Sequence, residues 1–325
     1  MTHPAIETRG LRKAYGSTLA LEALDIRVEP GEVFGFLGPN GAGKTTAVKL
    51  LLGLTRPTGG TGSVLGHPLG SLDARRRIGY LPELFRYQAW LTAREVLDLH
   101  ARLAGLPTGR RRAEIDRVLA LVGLAGRDRD RTGGFSKGMQ QRLGLASALL
   151  GDPALVILDE PTSALDPVGR DDVRTIIRDA RERGSAVLLN SHLLGEVERL
   201  CDRVAIVHRG RVVAAGTLAD LLGEQAVRLR VTDLTADGLA ASAAFGPASI
   251  DDEGWLVVRP VDAERIPDVV AAVVGAGGRV HAVDPGRRSL EDLFLGLVRD
   301  GETATPGEGA ASGAPLPDST GEAVA

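Results

Sequence analysis

The stretch GPNGAGKT at residues 38–45 constrains the fold of this chain more than any other. Before it, EVFGFLG (32–38) is an apolar run that ends in glycine, as a buried strand does where it meets a loop. After it, TTAVKLLLGL (45–54) carries apolar side chains at helical spacing. A strand, a glycine-rich loop and a helix in this order predict an α/β fold with a parallel sheet.

The glycine-rich loop matches the pattern G-x-x-x-x-G-K-[ST] at every fixed position, between the strand and the helix that the pattern requires. Glycines let backbone N–H groups converge on phosphate oxygens, and the helix N-terminus adds a partial positive charge. Lys44 then neutralises the β and γ phosphates, and the Thr45 hydroxyl ligates Mg²⁺. The sequence therefore predicts a nucleotide site made of Gly38, Pro39, Asn40, Gly41, Ala42, Gly43, Lys44, Thr45 and Thr46.

A second apolar run, LVILDE at residues 155–160, ends in two carboxylates. Charges at the exposed end of a buried strand suit a cation ligand or a proton-transfer role. Asp159 is the natural partner of Mg²⁺, directly or through water. Glu160 follows one residue later, where it can take a proton from an attacking water. The run is a weak signal by itself and a strong one beside a phosphate loop.

The pattern along the chain divides it into three parts. Residues 1–222 form an α/β domain, in which Leu24, Ile26 and Val28 alternate with polar residues as in a half-buried strand, and an Arg-rich helical insert occupies about 84–140. Residues 225–300 have the order β-α-β-β-α-β followed by a helix, which predicts a small α+β domain of the ferredoxin-like type. Residues 301–325 are rich in Gly, Ala, Pro, Ser and Thr and contain no Lys or Arg, which is typical of a disordered tail.

Composition and charge argue against several classes of protein. A net charge of −3 over 325 residues argues against bulk binding to nucleic acid. The single cysteine, Cys201, excludes an internal disulfide, fits a reducing compartment and follows a helix-like run that predicts its burial. The N-terminal residues lack the apolar core of a signal peptide, and no run approaches the ~18 uninterrupted apolar residues of a membrane helix. We therefore expect a soluble protein that can still dock onto a membrane protein.

Together with the two motifs, further stretches make residues 5–222 similar to the ATP-binding subunits of ABC transporters. The triplet ALD, which ends at Asp166, resembles the D-loop of that family. NSHLLGEVERLCDRVAIVHRGRV carries His192 at the position of the family's switch residue, and Tyr15 in KAYG resembles the aromatic residue that stacks on adenine. The resemblance implies the ABC-ATPase fold: a parallel core sheet, an N-terminal antiparallel β subdomain and a helical insert.

Two other stretches carry the resemblance and also depart from the family pattern. GYLPE (79–83) lies at the Q-loop, but Glu83 stands where the family has Gln. Both side chains offer an oxygen, so the resemblance implies Thr45, Glu83 and Asp159 as Mg²⁺ ligands. FSKGM (135–139) lies at the signature motif, but Lys137 replaces the usual glycine.

The signature stretch begins a helix, because apolar residues recur at helical spacing after it. Its positive end predicts a phosphate site, and the resemblance implies that the phosphate belongs to an ATP held by a partner subunit. Lys137 either adds a charge at that site or points to solvent. The second interpretation is favoured, because the helix N-terminus and Ser136 already suffice to bind the phosphate. The nucleotide contacts implied in this way are Tyr15, Glu83, Ser136, Lys137, Gly138, Met139, Asp159 and Asp166.

The resemblance also implies a mechanism and partners. Two such domains close head to tail around two ATP molecules, Glu160 polarises water, Lys44 and Mg²⁺ stabilise charge, and His192 holds the γ-phosphate. The second ATPase subunit is another copy or a paralogue, and a separate membrane permease docks on the helical insert at the cytoplasmic face of a bacterial membrane. The runs YLPE and SKGMQQRLGLASALL, with the C-terminal unit, are most similar to exporters of the daunorubicin-resistance kind.

Other interpretations stay open at the level of sequence. A non-transport ATPase of the same superfamily, acting on ribosomes or DNA, usually has two cassettes or long coiled coils, and neither is evident in the sequence. A small-molecule kinase with a phosphate loop does not explain FSKGM or the region of His192. A purely regulatory binding module does not explain Glu160 and the Mg²⁺ ligands.

Overall fold

The computed structural model describes residues 3–163, 165–223, 226–286 and 289–303. The strands in chain order are β1 (Ile6–Tyr15), β2 (Thr18–Leu24), β3 (Arg27–Val28), β4 (Val33–Leu37), β5 (Gly59–Val64), β6 (His67–Pro68), β7 (Ile78–Leu81), β8 (Leu155–Asp159), β9 (Ala186–Asn190), β10 (Arg203–His208), β11 (Arg211–Thr217), β12 (Val227–Thr232), β13 (Ala248–Ile250), β14 (Leu256–Val258) and β15 (Arg279–Asp284). The helices are α1 (Lys44–Leu51), α2 (Leu72–Arg75), α3 (Ala93–Leu103), α4 (Thr108–Leu121), α5 (Lys137–Ala148), α6 (Pro167–Glu182), α7 (Leu194–Leu200), α8 (Leu218–Leu222), α9 (Ala236–Ala243), α10 (Ile266–Gly275) and α11 (Leu290–Thr303), with 3₁₀ turns at Thr132–Gly134 and Ala263–Arg265.

One large sheet organises the first two thirds of the described chain. It has the strand order β6-β5-β1-β2-β11-β10-β4-β9-β8-β7, and β3 pairs with β1 off this path. Strands β10, β4, β9, β8 and β7 are mutually parallel, whereas β6, β5, β1 and β2 pair antiparallel. The predicted parallel core with an N-terminal antiparallel β part is confirmed.

The central strands β4, β8 and β9 are buried along their whole length. In β8, Leu155 and Ile157 pack into one hydrophobic cluster, while Val156 and Leu158 pack into another on the opposite face. Burial on both faces explains why these strands are continuous apolar runs rather than alternating ones. Because they are parallel, their carboxyl ends meet at one edge of the sheet, where polar residues can gather.

The N-terminal strand pattern needs a correction. Leu24, Ile26 and Val28 are all buried as the alternation predicts, but they do not form one strand. β2 ends at Leu24, and β3 begins at Arg27. Between them the buried Thr8 hydroxyl donates to the Leu24 carbonyl and accepts from the Ile26 N–H. These two backbone groups therefore bond to a side chain and not to a neighbouring strand.

The helical insert lies between β7 and β8. Helix α3 begins at a capping box, in which the Thr92 hydroxyl accepts from the Glu95 N–H and the Glu95 carboxylate accepts from the Thr92 N–H. Helices α3, α4 and α5 bury their apolar faces in the cluster that also covers one side of β8. The insert therefore shares a core with the parallel sheet and is not a separately folded lobe.

The C-terminal part forms a second sheet with its own core. Its strand order is β13-β14-β12-β15, with every neighbouring pair antiparallel, and α9 and α10 pack on it through a cluster that includes Leu229 and Val269. Helix α11 packs elsewhere, against α7 and α8 of the first unit. Of the predicted tail, Gly301–Thr303 end α11, and residues 304–325 lie outside the described residues.

No helix of the described ranges is long and apolar enough to cross a membrane. Cys201 is buried, as expected from its position after an apolar helix-like run. Burial raises the pKa of its thiol above the usual range, so the side chain behaves as a small core residue.

We predict that Gly79→Ala destabilises the protein strongly. A Cβ at Gly79, in β7, would lie 1.8 Å from the Ala148 carbonyl oxygen at the end of α5, and both are backbone positions that cannot rotate away. The expected loss in the free energy of unfolding is about 3 kcal/mol, measured by urea denaturation. Gly109→Ala is the control, because a Cβ there meets nothing within 4 Å and helical Ala is favoured over Gly. Equal stability of the two variants would contradict the close packing of β7 on α5.

Candidate nucleotide site

A cavity of about 580 Å³ opens at the carboxyl edge of the parallel strands. Sequence reasoning singled out most of its lining, namely Gly38, Pro39, Asn40, Gly41, Gly43, Lys44, Thr45, Thr46, Glu83, Asp159, Glu160 and His192. Ala42 is buried beneath the loop and does not line the cavity. The twelve lining residues singled out from the sequence come from four separate stretches, which β4, β7, β8 and β9 bring together.

The glycine-rich loop takes a shape that other residues could not adopt without strain. Gly43 caps α1 with φ 103°, and a Cβ there would lie 2.5 Å from the Ala20 carbonyl oxygen. A Cβ on Gly38 would lie 2.3 Å from the Val207 carbonyl oxygen. These close approaches hold the loop over the N-terminus of α1, where backbone N–H groups favour an anion.

Lys44 points into the loop that carries it. Its Nζ donates to the carbonyl oxygens of Gly38 at 2.6 Å and Pro39 at 3.2 Å, and the side chain is largely buried. Burial lowers the pKa of the ammonium group, while the negative charges of Glu160, Asp159 and Glu83 act in the opposite direction. A bound phosphate would supply a stronger acceptor than these neutral carbonyls.

Asp159 ends β8 opposite Asn190, which ends β9. The Asn190 amide Nδ2 donates to Asp159 Oδ1, and both side chains are buried. Burial raises the pKa of the Asp159 carboxyl, and the nearby carboxylates Glu83 and Glu160 raise it further, against the Asn190 hydrogen bond and Lys44. Such a desolvated carboxylate is stabilised by a cation.

Glu160 has a backbone conformation that is rare for a residue with a side chain. Its φ is 52°, in the left-handed region, which costs on the order of 1–3 kcal/mol unless its surroundings enforce it. The Glu160 N–H donates to the Asn190 carbonyl at 2.8 Å, and the Gln141 amide donates to the Pro161 carbonyl at 2.9 Å. The turn after β8 is therefore fixed from β9 on one side and from α5 on the other.

The Glu160 carboxylate has one engaged and one free oxygen. Oε1 accepts from the His192 N–H at 3.0 Å and lies 2.8 Å from His192 Nδ1. Oε2 is buried and has no hydrogen-bond partner. A buried acceptor left open at a cavity wall is suited to a water or a proton donor supplied by the ligand.

The residues expected to hold Mg²⁺ fit that role. Thr45, Glu83 and Asp159 line the same cavity. No group of three His, Cys, Asp or Glu side chains that could hold a metal by themselves occurs in the described part of the chain. This donor set, one hydroxyl with one or two carboxylates, is what Mg²⁺ takes when phosphates and water complete its coordination.

Tyr15 is not part of the cavity wall. Its side chain is 48% exposed, and Lys13 Nζ lies 4.8 Å from its ring centre. The cavity is lined at this end by Thr18, Leu19 and Ala20, which directly follow the turn after β1. Adenine stacking on Tyr15 stays a prediction.

The signature residues also lie away from the cavity. Ser136 caps α5, its hydroxyl accepting from the Met139 N–H at 3.2 Å, and Lys137 is exposed at the same helix end. Asp166 caps α6 in the same way, accepting from the Gly169 N–H at 2.8 Å. Ser136 and Asp166 thus each cap a helix N-terminus that does not line the first site.

Some residues that line the cavity were not predicted from the sequence. Asn190 and Ser191 end an apolar run parallel to β8, and a polar residue at such a position is a signal that could have been used. Leu194 and Phe294 also line the cavity. Phe294 lies in α11, and no local pattern in that helix indicates that it reaches this site.

Comparisons with known proteins identify the family of this chain. Residues 21–163 match the family model described as ABC transporter. The chain is 39% identical over 312 residues to an uncharacterized ABC transporter ATP-binding protein of Nostoc sp., covering 93% of this chain and 92% of that protein. It is 38% identical over 308 residues to the daunorubicin resistance ATP-binding protein DrrA3 of Streptomyces coeruleorubidus, covering 92% and 98%. A solved ATP-binding subunit of an ABC transporter superposes with a TM-score of 0.63 at 34% identity, covering 67% of this chain and 91% of that one.

We predict that Lys44→Ala weakens binding of a fluorescent ATP analogue by about tenfold or more, because the one buried ammonium that lines the cavity in the described structure is lost. The matched control is Lys49→Ala, which removes an exposed lysine from the same helix and should change the dissociation constant less than about twofold. Similar weakening by both changes would mean that general charge, and not this position, holds the nucleotide.

We predict that Asp159→Asn stabilises the nucleotide-free protein at neutral pH. The pKa of Asp159 is raised by burial, so folding favours the neutral carboxyl, and stability is lost as the pH rises through the folded-state pKa. The amide mimics the neutral form, which should raise the free energy of unfolding by about 1 kcal/mol at neutral pH. Urea titrations over a range of pH should show the difference shrinking in acid. A variant that is less stable at neutral pH would contradict this.

Proposed function

The chain belongs to the family of ABC transporter ATP-binding proteins, and from that membership and the geometry of its site we propose that it hydrolyses ATP to power export. The observation that carries the proposal is the free oxygen of Glu160. Its Oε2 is buried and unpartnered, and Glu160 lines a cavity that Lys44 and Asp159 also line. A carboxylate held this way is placed to take a proton from water that attacks a γ-phosphate.

The other lining residues take complementary roles in this proposal. The glycine-rich loop binds the phosphates through backbone N–H groups, and Lys44 exchanges its bonds to the loop carbonyls for bonds to phosphate oxygens. His192 orients the Glu160 carboxylate through Oε1 and lies on the same wall, so it can also reach the terminal phosphate. Hydrolysis then needs only proton transfer and charge stabilisation from preorganised groups.

Mg²⁺ would be held by Thr45, Asp159 and Glu83, directly or through water. Bound there, the ion neutralises charge on the β and γ phosphates. The carboxylate of Glu83 adds a negative charge that a glutamine at this position would not carry. Glu83 therefore still offers an oxygen to Mg²⁺, and its negative charge favours the bound cation more than a neutral glutamine would.

A second subunit would complete the site. Ser136, Lys137, Gly138 and Met139 lie outside the cavity, at the N-terminus of α5, and Asp166 lies outside it at the start of α6. In a head-to-tail pair the positive helix end of one copy would face the γ-phosphate held by the other. ATP would then favour the closed pair because it contacts both copies.

Export of a drug or antibiotic through a separate permease is the transport function we propose. A relative covered almost completely by this chain is named for daunorubicin resistance, and the similarity extends into the C-terminal part. We place the permease contact on the helical insert, at the cytoplasmic face of the membrane. Neither proposal changes the chemistry at Glu160.

We predict that Glu160→Gln lowers the rate of ATP hydrolysis about a hundredfold or more, because a positioned base contributes roughly 10²–10⁴. The amide keeps the shape and can still accept at one oxygen, so ATP should bind and hold a dimer, measured by light scattering after gel filtration. Glu182→Gln, at the exposed C-terminal end of α6, is the control and should hydrolyse ATP as the wild type does. Turnover near the wild-type rate in Glu160→Gln would rule out this base.

A further inference from the structure

Helix α11 leaves the C-terminal unit and docks on the ATPase unit. Leu290, at its start, is fully buried in the main hydrophobic cluster, and its N–H donates to the Glu198 carboxylate of α7. Leu293 and Leu297, one and two turns along, pack against the same cluster. The helix therefore presents one apolar face to α7 and α8.

Phe294 lies on this docked face and reaches the nucleotide cavity. Together with Leu194, the first residue of α7, it lines the cavity that His192 and Glu160 also line. Most of the described lining is charged, polar or glycine, and its large apolar side chains are Leu19, Leu194 and Phe294. Two of these three therefore come from α7 and α11, the helices that pack against each other.

Helix α7 joins α11 to the catalytic pair. It begins two residues after His192, so a shift of the helix moves the imidazole and, through Oε1, the Glu160 carboxylate. From α6 it is held by Arg174, which donates to both oxygens of Glu196 at 3.0 Å in a pair that is only 13% and 12% exposed. From the other direction it is held by α11.

We propose that Phe294 is a positioning residue for ATP hydrolysis, which fixes α7 and through it the His192–Glu160 pair. The inference rests on the proposed function. His192 needs such support, because its side chain is 60% exposed in this structure. A displacement of about 1 Å at a catalytic group can cost roughly a hundredfold in rate.

Phe294 should affect the rate of hydrolysis and not the affinity for ADP. In the proposed function the phosphate loop binds the phosphates of ADP, whereas Phe294 acts through α7 on the His192–Glu160 pair, which is needed only when a γ-phosphate is hydrolysed. Loss of the ring should therefore lower kcat and leave ADP affinity nearly unchanged. A residue that only supports the fold would affect both through the fraction of folded protein.

The experiment compares Phe294→Ala, Phe294→Leu and Leu295→Ala in the full chain. Leu295 is the next residue on α11 and is 45% exposed, so its truncation controls for the loss of an apolar side chain from this helix. We expect kcat to fall about tenfold in Phe294→Ala and to stay within about twofold of the wild type in Phe294→Leu and Leu295→Ala. The dissociation constant for a fluorescent ADP analogue should change less than about twofold in all three. A wild-type kcat in Phe294→Ala, or equal losses in kcat and ADP affinity, would overturn the proposal.

Hydrogen–deuterium exchange provides a test that does not depend on hydrolysis. In Phe294→Ala the amides of residues 191–200 should exchange roughly fivefold faster or more, while those of β8 keep the wild-type rate. An unchanged rate at 191–200 would also overturn the proposal. If the wild-type chain does not hydrolyse ATP, the proposed function fails, whereas the exchange measurement still decides whether α11 holds the His192 segment.

Discussion

The parallel pairing of β4, β8 and β9 is the constraint on which the rest of this structure depends. It aligns the ends of three strands at one edge, so that the phosphate loop, the Asp159–Glu160 turn and the Asn190–His192 segment become neighbours. The interiors of these strands are wholly apolar and cannot accept a polar group. Polar chemistry is therefore concentrated at the strand ends, where water and ligand can reach it.

The edge that results carries unbalanced charge. Three carboxylates, those of Glu83, Asp159 and Glu160, line the cavity with a single ammonium, that of Lys44. Burial and mutual repulsion raise the pKa of Asp159, and burial lowers the pKa of Lys44, so the environment disfavours the charged form of both groups. In the proposed function, a divalent cation bound with a phosphate chain would offset both effects together, which would couple metal binding to nucleotide binding.

Sequence patterns identify the parts of this site that are contiguous in the chain. The phosphate loop and the carboxylates after β8 are contiguous motifs, each between elements whose apolar spacing is unambiguous, and the cavity contains them. Asn190 was missed because its role depends on register between two strands that are adjacent in the sheet. Phe294 could not be predicted at all, since it reaches the cavity only because α11 packs on α7 instead of its own sheet. Long-range packing of this kind leaves no periodic signal in the sequence.

Local motif and long-range packing also combine in α5, the helix that begins at the signature stretch. The N-terminal residues of α5 do not line the cavity of their own chain, but further along α5 the Gln141 amide donates to the carbonyl of Pro161, directly after Glu160. Gln141 is buried, and the Glu160 conformation that it helps to hold is a left-handed one. One helix thus connects Ser136 with the turn that carries the proposed base. Since that turn is also fixed from β9 and, through His192, from α7, the position of Glu160 is set by three elements rather than by its own strand. A strained residue persists only where its surroundings determine it this fully, and the contacts from β9, α5 and the His192 segment supply that determination.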